Sequence, residues 1–224
     1  MTEGYFITGT DTAVGKTIVA TALVSALRAR KIDVGIMKPV SAGGREDAVD
    51  LLLASGLSDD LETINPVALA EPLSPNLAAE RSGTTIDITH ILDVYERLSE
   101  KHDWMIVEGA GGLLVPLSDS YSVADLAREI GLPLIIVARA ALGTINHTLL
   151  TIEAARAKGL TVSGVVYNQV HPSLDGISER ESPDIVSRIS GVRTLGRVPH
   201  LSSGELRDGL AETCLDMTTI AGEV

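Results

Sequence analysis

A single cysteine, Cys214, leaves the 224-residue chain without an intramolecular disulfide and without the thiolates of a zinc cage, a usage that suits a reducing compartment. Aromatic side chains are equally scarce at 3%, with one Phe, one Trp and four Tyr. The core must be built from Ala, Val, Ile and Leu, and no platform exists on which single-stranded bases could stack. Positive charge is short as well. Eighteen Lys and Arg against 30 Asp and Glu leave a net charge of −12, which repels nucleic-acid backbones and anionic membrane surfaces. Neither is expected as a partner, so any phosphate has to be held locally. The longest near-apolar stretch, around residues 132–142, is too short and too interrupted to span a bilayer. The N-terminus lacks a basic stretch leading into an apolar one, so a cytoplasmic location is expected. Low-complexity segments and internal repeats are missing too.

What is present reads as one packed domain over residues 1–224, with 45% hydrophobic and 21% charged residues. Short apolar runs at 5–8, 34–38, 105–108, 134–138 and 162–167 carry no polar alternation, as strands covered on both faces require. Between them lie helical stripes: Ile18, Val19, Ala22, Leu23, Ala26 and Leu27 form one, and Ile88, Ile91, Leu92, Tyr95 and Leu98 another. The expected fold is α/β, a mostly parallel β-sheet flanked by helices on both faces. Residues 45–85 are broken by Asn65-Pro66, Glu71-Pro72 and Ser74-Pro75, and read as short helices and loops beside the carboxyl edge of the sheet, where insertions shape pockets.

Directly after the first strand comes Gly9-Thr10-Asp11-Thr12-Ala13-Val14-Gly15-Lys16-Thr17, followed by the first amphipathic helix. Strand, glycine loop and helix start are the context of a phosphate loop, one residue longer between its glycines than the common spacing. Curled backbone N–H groups and the helix N-terminus attract phosphate, Lys16 reaches its distal oxygens, and the Thr17 hydroxyl can ligate Mg²⁺. The fold is therefore expected to be P-loop NTPase-like. Asp11 stands where partitioning and cell-division ATPases of the MinD and ParA kind carry a lysine, which counts against that group.

Two further strands end in charge. Lys38 precedes Pro39 at the carboxyl end of the second strand, where ligands sit in open α/β sheets; a solvated strand-end lysine is the plain alternative. The third ends in Val107-Glu108-Gly109-Ala110-Gly111-Gly112, with an acid followed by glycines that let backbone approach a ligand. Mg²⁺ takes one or two carboxylates besides phosphate oxygens, so Thr17, Glu108 and one more acid suffice. Asp47, where a short helix can start, is the candidate, and Asp50 reads as a helix-face charge.

Taken together with Lys-Pro-Val at 38–40 and Leu142-Gly143-Thr144-Ile145-Asn146-His147, these segments resemble dethiobiotin synthetase from about Tyr5 to Leu201. The resemblance implies ATP- and Mg²⁺-dependent ring closure of 7,8-diaminononanoate with CO₂ or bicarbonate to dethiobiotin, ADP and phosphate. It implies catalytic roles for Lys16 and Lys38 and metal ligation by Thr17, Asp47 and Glu108. ATP would lie along Ala13, Val14, Gly15, Lys16, Thr17 and Ile18, beside Asp47, Glu108, Gly109, Ala110 and Gly111. Its adenine would lie at Asn168, Gln169, Pro199, His200, Leu201 and Glu205, although Asn168 alone could be a strand-end turn residue. The diamine would meet Thr12, Lys38 and Ser41. Its carboxylate would be received by Gly143, Thr144, Ile145 and Asn146 of a second subunit in a homodimer, with Thr144 as N-cap of the helix that begins there; an ordinary capped surface helix is the alternative.

The chain departs from the family where many members carry Glu in place of Ala13 and Ser or Thr in place of Ala42. Ser41 stands next to the second of these positions. Two rivals differ in what they require. An amide ligase of the cobyrinic acid diamide synthetase type normally continues into a glutaminase domain, for which 224 residues leave no space. A nucleotide-dependent switch or scaffold would hydrolyse ATP slowly and ignore the diamine.

Overall fold

The computed structural model describes residues 2–172, 176–201 and 209–222. In chain order its elements are β1 (Glu3–Gly9), α1 (Lys16–Ala29), β2 (Val34–Met37), β3 (Val40–Ala42), α2 (Glu46–Ser55), α3 (Leu61–Ile64) and β4 (Val67–Leu69). These are followed by α4 (Pro75–Ser82), α5 (Ile88–Ser99), β5 (Trp104–Gly112), β6 (Pro116–Ser118), β7 (Tyr121–Ser122), α6 (Val123–Ile130) and β8 (Leu134–Arg139). The last are α7 (Thr144–Ala157), β9 (Val162–Asn168), α8 (Ile177–Ser190), β10 (Thr194–Val198), α9 (Leu210–Cys214) and α10 (Met217–Ala221).

Six strands form one all-parallel sheet in the order β10-β9-β8-β1-β5-β2. Alternate residues of each inner strand enter different cores, as a pleated sheet covered on both sides requires. Ile7, Ile106, Ile135, Val137 and Val166 pack with the buried stripe of α1 and with α9 and α10. On the other face, Phe6, Met105, Val107 and Leu134 join α5 and α6, while Ile136, Val165 and Tyr167 join α7 and α8. Two-stranded sheets, β3-β4 and β6-β7, stand apart from this frame. Among the described residues, no helix is long and apolar enough to cross a membrane.

The short strands β3, β4, β6 and β7 lie outside the expectation; the central sheet holds all five expected strands, with corrections at their ends and one addition. β2 stops at Met37, so Lys38 lies just beyond it, and β5 runs four residues past Glu108 to Gly112. That extension pairs Gly9 with Gly112, two residues without side chains whose backbones approach closely. The addition is β10, which pattern reading misses because Gly196 and Arg197 interrupt its apolar run and only Leu195 and Val198 are buried. β1 is flanked by β5 on one side and β8 on the other, so the chain leaves it in a crevice at the carboxyl edge.

Candidate active site

Parallel pairing decides the first part of the geometry. Met37 of β2 is in register with Val107 of β5, so the next residues, Lys38 and Glu108, emerge side by side, and Ile7 of β1 is in register with Glu108 itself. The phosphate loop then rises from β1 against the same edge. Lys38 Nζ lies 2.6 Å from Glu108 Oε1 and 2.6 Å from Asp47 Oδ2. Lys38 is only 2% exposed and Glu108 is fully buried. Burial disfavours the Lys38 charge, but the Glu108 and Asp47 carboxylates outweigh it and hold the ammonium above its ordinary pKa range. Burial opposes the Asp47 charge as well, and Lys38 overcomes it, keeping that carboxyl below its usual range.

Thr17 Oγ1 lies 2.8 Å from Asp47 Oδ1 and 2.9 Å from Glu108 Oε1. One hydroxyl proton can serve only one of these oxygens, and Glu108 Oε2 is buried without a hydrogen-bond partner. Three hard oxygens thus converge with spare acceptor capacity, the donor set that Mg²⁺ prefers when phosphate supplies the rest. Lys16 Nζ donates to the Asp11 carbonyl at 3.3 Å, a long bond that is easily exchanged. Burial pushes the Lys16 ammonium below its ordinary range, and the neighbouring Lys38 charge adds to the effect. Lys16 and Lys38 are met by Asp47 and Glu108, with Glu46 and Asp50 also lining the site, so an incoming polyphosphate adds negative charge that a cation would offset.

The strand-end lysine is fixed by residues from the region expected to form short helices and loops. Lys38 N donates to the Ile64 carbonyl at 2.8 Å, and Asn65 Nδ2 donates to the Lys38 carbonyl at 2.7 Å. Ser41 Oγ donates to Asn65 Oδ1 at 3.0 Å. Asn65 is fully buried and connects two parts of the site; its only sequence signal is an asparagine before a proline.

A cavity of about 780 Å³ joins these groups. Of the expected residues, Thr12, Ala13, Gly15, Lys16, Thr17, Ile18, Lys38, Ser41, Asp47, Glu108, Ala110 and Gly111 line it. Asp50 lines it too, rather than serving only as a helix-face charge, together with Glu46, Gly43 and residues 72–75 from the region expected to shape a pocket. Val14 and Gly109 do not line it. The Val14 side chain is buried in the core, and a Cβ on Gly109 would meet Phe6 Cε1 at 2.8 Å, so only backbone is offered there.

The expected adenine residues lie elsewhere, at and beyond the ends of β9 and β10. Asn168 Nδ2 donates one N–H to the Val14 carbonyl at 2.9 Å, which leaves its second N–H and its Oδ1 for another partner. Gln169 Nε2 donates to the His171 and Pro172 carbonyls at 3.3 and 3.4 Å, and the His171 and His200 rings are 6.4 Å apart. Glu205 lies outside the described residues. Gly143, Thr144, Ile145 and Asn146 are likewise absent from the lining of the cavity. Thr144 is not the N-cap: Gly143, with φ 94°, takes that position, and the Thr144 hydroxyl turns inward, 3.4 Å from Thr148 Oγ1. Asp11, where the partitioning ATPases have lysine, is paired to Arg139 at 2.7 Å.

A family model described as an AAA domain matches residues 3–205. The ATP-dependent dethiobiotin synthetase BioD of Thermodesulfovibrio yellowstonii is 39% identical, the alignment covering 96% of this chain and 95% of that protein. The protein of the same name from Methanocaldococcus jannaschii is 42% identical over 86% of this chain and 92% of its own length. Among solved structures, the septum site-determining protein MinD complexed with Mg-ADP from Pyrococcus horikoshii aligns with a TM-score of 0.62 at 17% identity, covering 98% of this chain and 89% of that one. A ParA family ATPase from Chlorobium tepidum gives 0.58 at 15%, with coverages of 100% and 95%. At such identities the likeness is one of fold alone.

Proposed function

This chain belongs to the ATP-dependent dethiobiotin synthetase family, a ligase of biotin biosynthesis, and from that premise we propose how its residues carry the reaction. Residues 1–224 act as one synthetase unit. The observation that carries the proposal is the Lys38 ammonium, buried and held 2.6 Å from two carboxylates in a cavity that Lys16 also lines.

One amine of 7,8-diaminononanoate captures CO₂ as a carbamate, and a carbamate oxygen attacks the γ-phosphorus with ADP leaving. The second amine then attacks the carbonyl carbon of the mixed anhydride, loses its proton, and expels phosphate as the ureido ring closes. Substrate amines supply the nucleophiles, so the protein needs no nucleophile of its own. Its task is to bring two anions together, which is electrostatic work. Lys16 exchanges its long bond to the Asp11 carbonyl for phosphate oxygens, and the N–H groups of the loop take the rest. Lys38 stays charged because of Glu108 and Asp47, and presents that charge where carbamate and γ-phosphate meet. Thr17, Asp47 and Glu108 would hold Mg²⁺, which supplies charge neutralisation at the phosphates. Thr12 and Ser41 border the diamine, and Asn168, Gln169, Pro199, His200 and Leu201 border the base.

A homodimer accounts for two further features. Among the described residues, the basic groups lining the cavity are Lys16 and Lys38, which leaves none there for the far carboxylate. Thr12 also lines an adjoining recess of about 410 Å³ with Leu114, His147 and Leu150. Leu114, Leu142 and Leu150 are 58%, 87% and 61% exposed, apolar area that a second copy would cover, bringing its Gly143–Asn146 segment to the diamine. The test is phosphate release with ATP, Mg²⁺ and bicarbonate, with and without the diamine, while dethiobiotin is followed by mass spectrometry. Phosphate and dethiobiotin should appear in equal amounts, both dependent on the diamine. Equal hydrolysis without the diamine and no dethiobiotin would favour the switch.

A further inference from the structure

β1 and β8 are parallel neighbours with Gly9 in register with Val137, and Thr10 N donates to the Val137 carbonyl at 3.0 Å. Two residues further along each chain, Asp11 and Arg139 meet, with Arg139 Nη2 donating to Asp11 Oδ2 at 2.7 Å. The arginine is well seated. It is the last residue of β8, in register with Asn168 of β9, and its carbonyl accepts from Ala141 N at 2.9 Å. Asp11 has left β1 and stands in the phosphate loop.

All three oxygens of Asp11 are engaged. Oδ2 takes Arg139, Oδ1 accepts from the Thr12 N–H at 2.7 Å, and the carbonyl accepts from Lys16 Nζ. Because it points at the Asp11 carboxylate, the Thr12 N–H is withdrawn from the donors that the loop offers to phosphate. What the carboxylate fixes is the Thr12 peptide, and with it a side chain that lines both the main cavity and the adjoining recess. A Cβ on Gly111 would lie 3.5 Å from Thr12 Oγ1, so that hydroxyl sits over the glycines that follow Glu108. A carboxylate bonded only to the N–H of the next residue is free to turn into solvent, to which the Asp11 side chain is 54% exposed. Arg139 supplies the contact from outside the loop that prevents this.

We infer that Arg139 is a positioning residue for the diamine: through the Asp11 carboxylate it holds the Thr12 peptide and so places the Thr12 side chain at the junction of cavity and recess. The inference rests on the reading that Thr12 borders the diamine. Its effect is confined to that side, since no donor to phosphate is lost with the pair. It is also modest, because an ion pair this exposed changes an equilibrium constant only a few-fold.

Steady-state kinetics of the full chain, with 7,8-diaminononanoate and ATP varied in turn, separate this role from a general one. Arg139→Gln should raise KM for the diamine about threefold, as loss of an exposed ion pair allows, while KM for ATP stays. Asp11→Asn should do the same, and the double variant should be no worse than either single one, since both substitutions break one contact. Arg139→Lys should restore most of the wild-type value, because a single nitrogen makes the contact. Equal rises in both KM values would make the pair a brace of the whole loop and overturn the inference. Thr12→Val tells its failure from that of the reading beneath it. If Thr12→Val raises KM for the diamine and Arg139→Gln leaves it at the wild-type level, the inference alone falls. If Thr12→Val leaves it unchanged as well, Thr12 does not border the diamine and that reading falls too.

Discussion

Lys38→Ala is expected to lower kcat by about 10³-fold while ADP affinity stays within about threefold, because the lysine acts where charge gathers in the transition state rather than on bound nucleotide. ADP lacks the γ-phosphate that Lys38 is placed to meet, whereas Lys16 belongs to the loop that holds the remaining phosphates. The same substitution strips the fully buried Glu108 of its nearest counter-charge. Breaking a buried pair from one side typically costs about 3–5 kcal/mol, so a lower melting temperature should accompany the catalytic loss. Near-normal turnover in a folded Lys38→Ala protein would remove Lys38 from the mechanism. Lys38→Met, which keeps the length of the side chain without the charge, should be as inactive as the alanine variant if charge is what matters.

In Glu108→Gln the activity should require at least about tenfold more Mg²⁺, as losses at metal-binding oxygens commonly produce, and kcat at saturating metal should fall further. Glu108 Oε1 is the oxygen that Thr17 and Lys38 share, at 2.9 and 2.6 Å. The amide removes one negative charge from beside Thr17 and leaves Lys38 paired to Asp47 alone. Titrating MgCl₂ into the ATP-saturated reaction measures the shift. An unchanged midpoint would separate Glu108 from the metal and leave it only the task of holding Lys38.

Why the strand-end charges could be found from the sequence is a matter of sheet physics. Runs apolar on both faces announce parallel strands, and parallel strands gather their carboxyl ends on one edge, so a lysine after one and an acid at another become candidates for the same site. Sequence patterns do not say which strands are neighbours, and here β5 lies between β1 and β2, which puts Glu108 beside Lys38 although they are 70 positions apart. Asn65 marks the limit of this reasoning. It works through amide hydrogen bonds to the Lys38 and Val67 carbonyls and one accepted from Ser41 Oγ, contacts that have no period and no spacing. The Thr144 cap fails for a similar reason: threonine before a helix predicts capping, but a left-handed glycine one residue earlier had already turned the chain. β10 is obscured because an edge strand with few buried side chains has little apolar pattern to read.

The oxygen that leaves with phosphate is the most direct witness to the proposed chemistry. If a carbamate oxygen attacks the γ-phosphorus, single turnover with ATP, Mg²⁺, the diamine and CO₂ freshly labelled with oxygen-18 places one labelled oxygen in each inorganic phosphate released, as mass spectrometry of the phosphate would register. Phosphate that forms together with dethiobiotin but carries no label from CO₂ would contradict the anhydride route and the placement of Lys38 at the meeting point of the two anions.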